Sequence, residues 1–256
     1  MSSPRSASSA QLHVQKARYF FSGTSILLFV LMVLGFQLFY LKGQSFPGRE
    51  IPPPIKTQII LHGTFMTAWM TLLVIQPLLI AQRNRRLHMK LGWLGLVLAV
   101  LATIFGYQVG VGTARITPPE FVLWGLNPIQ FLLISIFSIL TYAVLVGFAI
   151  GKRKNAEAHR TLMLLAALMV IPAAIDRIPW ITQLYMDNFL GSWWGPYVAS
   201  VVLAALFALV YSLLTGQFNR WLSFGALAYA ITAFLIMRIA KTPFWESVAN
   251  GLVGGS

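Results

Sequence analysis

Cysteine is absent from the 256 residues, and acidic side chains are scarce: six Asp and Glu residues stand against 19 Lys and Arg. Without thiols the chain has no disulfides, no cysteine-held zinc or iron–sulfur cluster, and no C-x-x-C-H attachment of c-type haem. Charged residues make up 10% of the chain, far below the roughly 25% of soluble domains, and hydrophobic residues make up 57%. This composition indicates a protein that is solvated largely by lipid.

Seven apolar runs are long enough to cross a bilayer core, which takes roughly 20 helical residues. They do not alternate in polarity as barrel strands do, so helices are the expected spanning element. The sequence predicts an all-α polytopic bundle with spans at about 19–41, 58–81, 91–111, 128–150, 161–180, 195–215 and 221–240. Residues 1–16 are predicted to be a mobile basic tail, and residues 17–256 a single transmembrane domain. No cleavable signal peptide is expected, because the first run is too long for one.

The net charge of +13 is explained better by membrane topology than by nucleic-acid binding. If the loops alternate between the two sides of the membrane, 12 of the 19 basic residues fall on the side of the N-terminus. Short basic loops are typical of the cytoplasmic side. We therefore expect a multi-pass protein of the bacterial inner (plasma) membrane, with a cytoplasmic N-terminus, lipids as partners and no nucleic-acid partner.

Aromatic and small residues suggest local roles within this bundle. We expect aromatic side chains near the span ends to be interface anchors, namely Trp124, Trp193, Trp194 and Tyr197. Gly106 and Gly110 lie four residues apart in the third span, a spacing that favours close contact between helices.

Two of the four histidines carry the clearest chemical hypothesis. His88 and His159 lie 71 residues apart, and each follows a basic loop at the start of a predicted span. Two neutral imidazoles on neighbouring helices are a suitable ligand set for one b-type haem, which would serve in electron transfer or sensing. A helix N-terminus disfavours the imidazolium and so helps to keep both rings neutral.

Basic side chains at the same level would pair with the haem propionates, because guanidinium groups bind carboxylates well. The candidates are Arg83, Arg85, Arg86, Lys90 and Arg160. The alternative is that these charges meet lipid phosphates and set the topology, with no haem at all.

A second polar cluster is predicted on the opposite side of the membrane. His62 lies about six residues inside the second span, and Asp176–Arg177 closes the fifth. We expect Asp176 to meet Arg115 or His62, and Arg177 to meet Glu120. Ionisable residues inside spans are rare and often functional, although a structural histidine bonded to a backbone carbonyl explains His62 equally well.

The stretch His62–Gln76–Arg86–His88–Gly92 resembles an uncharacterised family of bacterial multi-pass membrane proteins. In that family a helix opening with His and closing with Gln leads to a basic loop, then His and Gly. A second stretch that resembles it is His159-Arg160-Thr161-Leu162-Met163-Leu164-Leu165, continuing to Ala174 and Arg177. The resemblance covers about residues 58–180 and implies membership but no established activity.

The sequence is also similar, more distantly, to the transmembrane b-type cytochromes that pass electrons from ascorbate. The similarity rests on His62-x-x-x-Met66, on Arg86-Leu87-His88 and on His159. In that family, histidines on helices two and four hold one haem, and those on helices three and five hold another. This chain departs from the pattern because Leu133 lies where the partner of His62 is expected. The resemblance therefore implies at most one haem, held by His88 and His159.

Three functions stay open at this point. The first is a membrane haem protein. The second is a non-enzymatic accessory subunit of a larger membrane complex or a lipid-binding scaffold, favoured by a sparse polar interior. The third is a small transporter or sensor that uses the outer cluster. The sequence has no Walker loop, G-x-S-x-G elbow or H-E-x-x-H pair, so it identifies no catalytic residue and leaves enzymatic activity undecided.

Overall fold

The computed structural model describes residues 9–46 and 49–254. Seven of its helices are long and apolar enough to cross a membrane, which confirms the all-α polytopic bundle. The helices are α1 Ser9–Gly35, α2 Gln37–Lys42, α3 Lys56–Ala81, α4 Arg85–Ile116, α5 Pro128–Gly151, α6 Ala156–Val170, α7 Pro172–Ile175, α8 Pro179–Thr182, α9 Phe189–Trp194, α10 Val198–Thr215, α11 Arg220–Ile239 and α12 Pro243–Gly254.

Several helix bounds differ from the sequence prediction. The predicted tail, 1–16, is already helical from Ser9, and residues 1–8 lie outside the described part of the chain. α4 has 32 residues and extends past both ends of the predicted 91–111 run. At 1.5 Å per residue it is about 48 Å long, more than the roughly 30 Å of hydrocarbon. Its ends therefore reach the headgroup region on both sides.

The fifth span is interrupted, although the sequence predicted one continuous run over 161–180. α6 ends at Val170, and Pro172 and Pro179 each occupy the first position of a new short helix. Proline lacks the backbone N–H that a continuing helix needs and clashes with the preceding turn. The chain therefore turns before Asp176, and this carboxylate lies in a break between helices.

α6 occupies the centre of the bundle. Its span is 72% buried, whereas the other six spans are at most 39% buried. α3, α4, α5 and α6 contact one another in sequence, and α1 closes the ring by packing on α3 and α6. α10 and α11 pack on the other side of α6. The sequence gives α6 Ala166 and Ala167, both fully buried, which allow neighbours to approach from several directions.

Small residues mark the closest helix contacts. A methyl group added at Gly35 would lie 2.1 Å from the carbonyl oxygen of Ala174, so α1 meets the break after α6 backbone to backbone. The expected contacts at Gly106 and Gly110 are confirmed, since their α carbons face His62 and Ser135 respectively. The sequence spacing of these glycines therefore predicted the packing faces of α4.

Two smaller elements were not predicted. β1 Gln44–Phe46 pairs antiparallel with β2 Arg49–Glu50 in the loop before α3. The twelve-residue α12 packs on α4 and α5, where Trp245 Nε1 donates to the Ile129 carbonyl at 3.0 Å. Gln130 Nε2 also donates to Glu246 Oε1 at 2.9 Å. α12 is shorter than a membrane span and buries only one face. A search for long apolar runs in the sequence therefore does not detect this helix.

Candidate functional site

The same kind of loop precedes α4 and α6. Asn84 caps α4 by accepting a hydrogen bond from the Leu87 N–H at 3.1 Å, and Asn155 caps α6 by accepting one from the Ala158 N–H at the same distance. The histidine follows four residues after the cap in each helix, at His88 and at His159. Asparagine is among the best N-cap residues. The caps therefore hold both histidines in the first helical turn.

These two starts lie on what we call the basic face, the end of the bundle formed by loops 82–84, 152–155 and 216–219. The two imidazole rings meet across the bundle with 6.5 Å between their centres and 82° between their planes. The structure thus brings together the pair that the sequence singled out, although they belong to different helical hairpins.

His159 is held by a second contact. Its Nδ1 lies 2.8 Å from the carbonyl oxygen of Ala149, near the end of α5. When Nδ1 of the neutral ring donates to this carbonyl, Nε2 has its lone pair available for a ligand. Metal-binding histidines are commonly oriented in this way by a backbone carbonyl.

His88 lies beside Gln76, which belongs to the stretch that carries the first resemblance but was not among the predicted site residues. Gln76 Nε2 donates to the His88 carbonyl oxygen at 3.3 Å. His88 Nδ1 and Gln76 Oε1 are both buried, and neither has a hydrogen-bond partner among the described residues. Buried polar atoms normally have partners. The sequence feature that could have marked Gln76 as a site residue is a glutamine next to Pro77 in an otherwise apolar run.

The predicted propionate partners divide into two groups. Arg83, Arg85, Arg86 and Lys90 are exposed around the start of α4. Arg160 instead turns toward α1, where its guanidinium carbon lies 4.7 Å from the centre of the Phe21 ring. The first group therefore lies at the basic face, whereas Arg160 packs against an aromatic ring.

His62 is a packed histidine on α3. Its Nδ1 lies 2.9 Å from the Ala102 carbonyl oxygen on α4, and its ring lies against Gly106 one turn later. A methyl group added at Gly106 would come within 2.8 Å of the ring. His62 therefore has the structural role, bonded to a backbone carbonyl, that was one of its two expected roles.

The predicted outer cluster is rearranged on the face opposite the basic face. Asp176 Oδ2 accepts a hydrogen bond from Trp124 Nε1 at 3.3 Å, so Trp124 is more than an interface anchor. Arg115 donates to the carbonyl oxygens of Val253 and Leu252 on α12. The expected pairing of Asp176 with Arg115 or His62 is therefore not found, because those side chains are bound elsewhere. Glu120 is exposed on the neighbouring loop.

Arg177 contacts two backbone carbonyls and an aromatic ring. Its Nε donates to the Ser45 carbonyl at 3.3 Å, a second nitrogen donates to the Ala173 carbonyl, and its guanidinium carbon lies 4.7 Å from the centre of the Phe36 ring. Burial lowers the pKa of Arg177 to about 10, and the Asp176 charge acts in the opposite direction. Arg177 therefore remains a cation at neutral pH.

Asp176 lies in an aromatic environment. Trp124 stacks on Tyr185 with 5.6 Å between ring centres and 8° between planes. Asp176 Oδ1 and the Tyr185 hydroxyl are buried and have no hydrogen-bond partner among the described residues. Burial raises the pKa of Asp176 to about 7, against the lowering effects of the Trp124 hydrogen bond and the Arg177 charge. Burial also raises the pKa of Tyr185.

Two expected interface anchors have other roles. Tyr197 is fully buried, and its hydroxyl lies 2.7 Å from Ser138 Oγ and donates to the Ile134 carbonyl at 3.1 Å. Trp194 Nε1 donates to the Ala230 carbonyl at 2.8 Å. Trp193 keeps 46% of its surface exposed, as an anchor should.

Comparison with known proteins identifies no relative: no family model, no curated protein and no solved structure matches the chain. The fold is that of a multi-pass integral membrane protein.

Proposed function

We propose that this integral membrane protein binds one b-type haem between His88 and His159 and serves in electron transfer or redox sensing. The observation that carries the proposal is the 6.5 Å separation of the two ring centres. Two imidazoles that bind one metal ion from opposite sides, through bonds of about 2 Å, place their ring centres roughly 6 Å apart. The pair therefore has the spacing that shared ligation of one iron requires.

The surroundings of the two rings support the same proposal. The Ala149 carbonyl fixes the orientation of His159 and leaves Nε2 for the iron. The buried His88 Nδ1 lacks a hydrogen-bond partner among the described residues, which is energetically unfavourable. A reorientation of the ring that brings it into a bond with the metal would remove this unfavourable burial. His88 and His159 are also among the residues on which the resemblance to the ascorbate-linked cytochromes rests.

When bound, the haem would supply reversible one-electron chemistry at its iron. The two histidines would hold the iron and so keep water from binding to it. Arg83, Arg85, Arg86 and Lys90 surround the start of α4 and would neutralise the propionates.

The test is spectroscopy of variants produced in haem-replete cells. We expect the purified protein to show the α-band of low-spin haem on reduction, and His88→Ala and His159→Ala each to lose it. His13→Ala, on α1, is the matched control and should keep the band. Added imidazole should restore the band in His159→Gly if that variant has folded, which separates loss of a ligand from loss of the fold.

A colourless wild-type protein from such cells would contradict the proposal. If that protein also co-purified with a stoichiometric membrane partner, the accessory-subunit function would be favoured instead.

A second candidate function, sensing or transport at the face opposite the basic face, is favoured by one observation. Asp176 is a buried carboxylate with an oxygen that lacks a partner among the described residues. A group of this kind binds a proton readily near neutral pH. Replacing Asp176 by Asn without changing any pH response of the protein would exclude this function.

A further inference from the structure

We propose that a groove between α5, α6 and α11 binds one acyl chain of an anionic phospholipid, with the phosphate held beside Arg220 and Trp221. The groove has a volume of about 610 Å³ and is lined almost entirely by apolar side chains. Ligand-binding clefts typically measure about 300–1,000 Å³. Phe224 and Ala228, which line it from α11, are exposed, so the groove opens toward the lipid.

The length of the groove matches one leaflet of the bilayer. Along α11 its lining extends from Arg220, the first residue of the helix, to Thr232. Twelve residues of helix rise roughly 18 Å, slightly more than half of the roughly 30 Å hydrocarbon core. The groove therefore begins at the basic face and ends near the middle of the membrane, where the acyl chains of one leaflet end.

The mouth of the groove has the chemistry of a phosphate site. Arg220 is exposed there, and its guanidinium carbon lies 5.9 Å from the centre of the Trp221 ring. Trp221 Nε1 is buried and has no hydrogen-bond partner among the described residues. A phosphodiester offers both a negative charge for the guanidinium and acceptor oxygens for the indole N–H. Zwitterionic lipids carry a compensating cation, so an anionic headgroup fits this mouth better.

Small residues on α11 leave room for the chain. Gly225 approaches α6 so closely that an added methyl group would lie 2.4 Å from Leu165 Cδ1, and Ala228 follows almost one turn later. A larger side chain at Ala228 would fill the groove without touching the charge at its mouth. The acyl chain and the phosphate can therefore be tested separately.

The experiment measures quenching of Trp221 by brominated lipids in reconstituted vesicles. The contribution of Trp221 is the difference between the wild type and Trp221→Phe. We expect brominated phosphatidylglycerol to quench Trp221 at about one-fifth of the mole fraction that brominated phosphatidylcholine requires. Arg220→Gln should abolish this preference, and Ala228→Phe should weaken quenching by both lipids.

Arg153→Gln is the matched control, because Arg153 lies on the same face but does not line the groove. It should keep the preference. Equal quenching of the wild type by the two lipids would overturn the proposal, as would an unchanged preference in Arg220→Gln. Unchanged quenching in Ala228→Phe would show that the lipid lies outside the groove and would overturn the assignment as well.

Discussion

The Asp176 carboxyl should make the stability of the protein depend on pH in a direction opposite to that of a salt-bridged carboxylate. Its pKa is raised from 3.8 to about 7 in the folded protein, so the folded state binds a proton that the unfolded state releases. The stabilisation is complete below pH 3.8 and is lost as the pH rises through 7. Between pH 5 and pH 8 the free energy of unfolding should fall by roughly 2–3 kcal/mol.

The assay is thermal unfolding of detergent-solubilised protein at pH 5 and pH 8. For a chain of this size the expected loss corresponds to a melting temperature about 5–10 °C lower at pH 8. Asp176→Asn is always neutral and should remove this part of the pH dependence, because Arg177 stays charged and Tyr185 stays neutral across the range. Identical pH dependence in the variant and the wild type would refute the reasoning.

Two further predictions concern packing and capping. Gly35→Ala should destabilise the protein by about 1–3 kcal/mol, because the new methyl group meets the Ala174 carbonyl. Gly23→Ala, with open space around it, should leave the melting temperature unchanged or raise it. Equal melting temperatures for the two variants would contradict this packing. Asn155→Ala should cost about 1 kcal/mol by removing the α6 cap and should loosen His159, whereas Asn155→Asp should retain the cap and the melting temperature.

Hydropathy was sufficient to predict the class of fold. The apolar runs gave all seven spans, because lipid requires long helices with few charges. Spacing also predicted that Gly106 and Gly110 face neighbouring helices. The break at Pro172 was visible in the sequence as a proline, but proline also occurs inside α3 at Pro77 without ending the helix. Tertiary contacts decide between these outcomes.

The candidate site was predicted only in part. The meeting of His88 and His159 follows from two equivalent loops, each with an asparagine cap four residues before the histidine. The partners of Asp176 could not be predicted, because they depend on where the break after α6 directs the chain. Trp124 approaches Asp176 from a loop in which its own φ is +58°, and a sequence read by periodicity gives no indication of such a conformation.

The measurement that tests the central claim most directly is the reduced-minus-oxidised absorption spectrum of the purified protein, with the wild type, His88→Ala, His159→Ala and His13→Ala prepared from haem-replete cells. Binding of haem between α4 and α6 predicts a low-spin α-band in the wild type and in His13→Ala, and its loss in the other two variants. A wild type without the band, or a band that survives replacement of both His88 and His159, would contradict the claim.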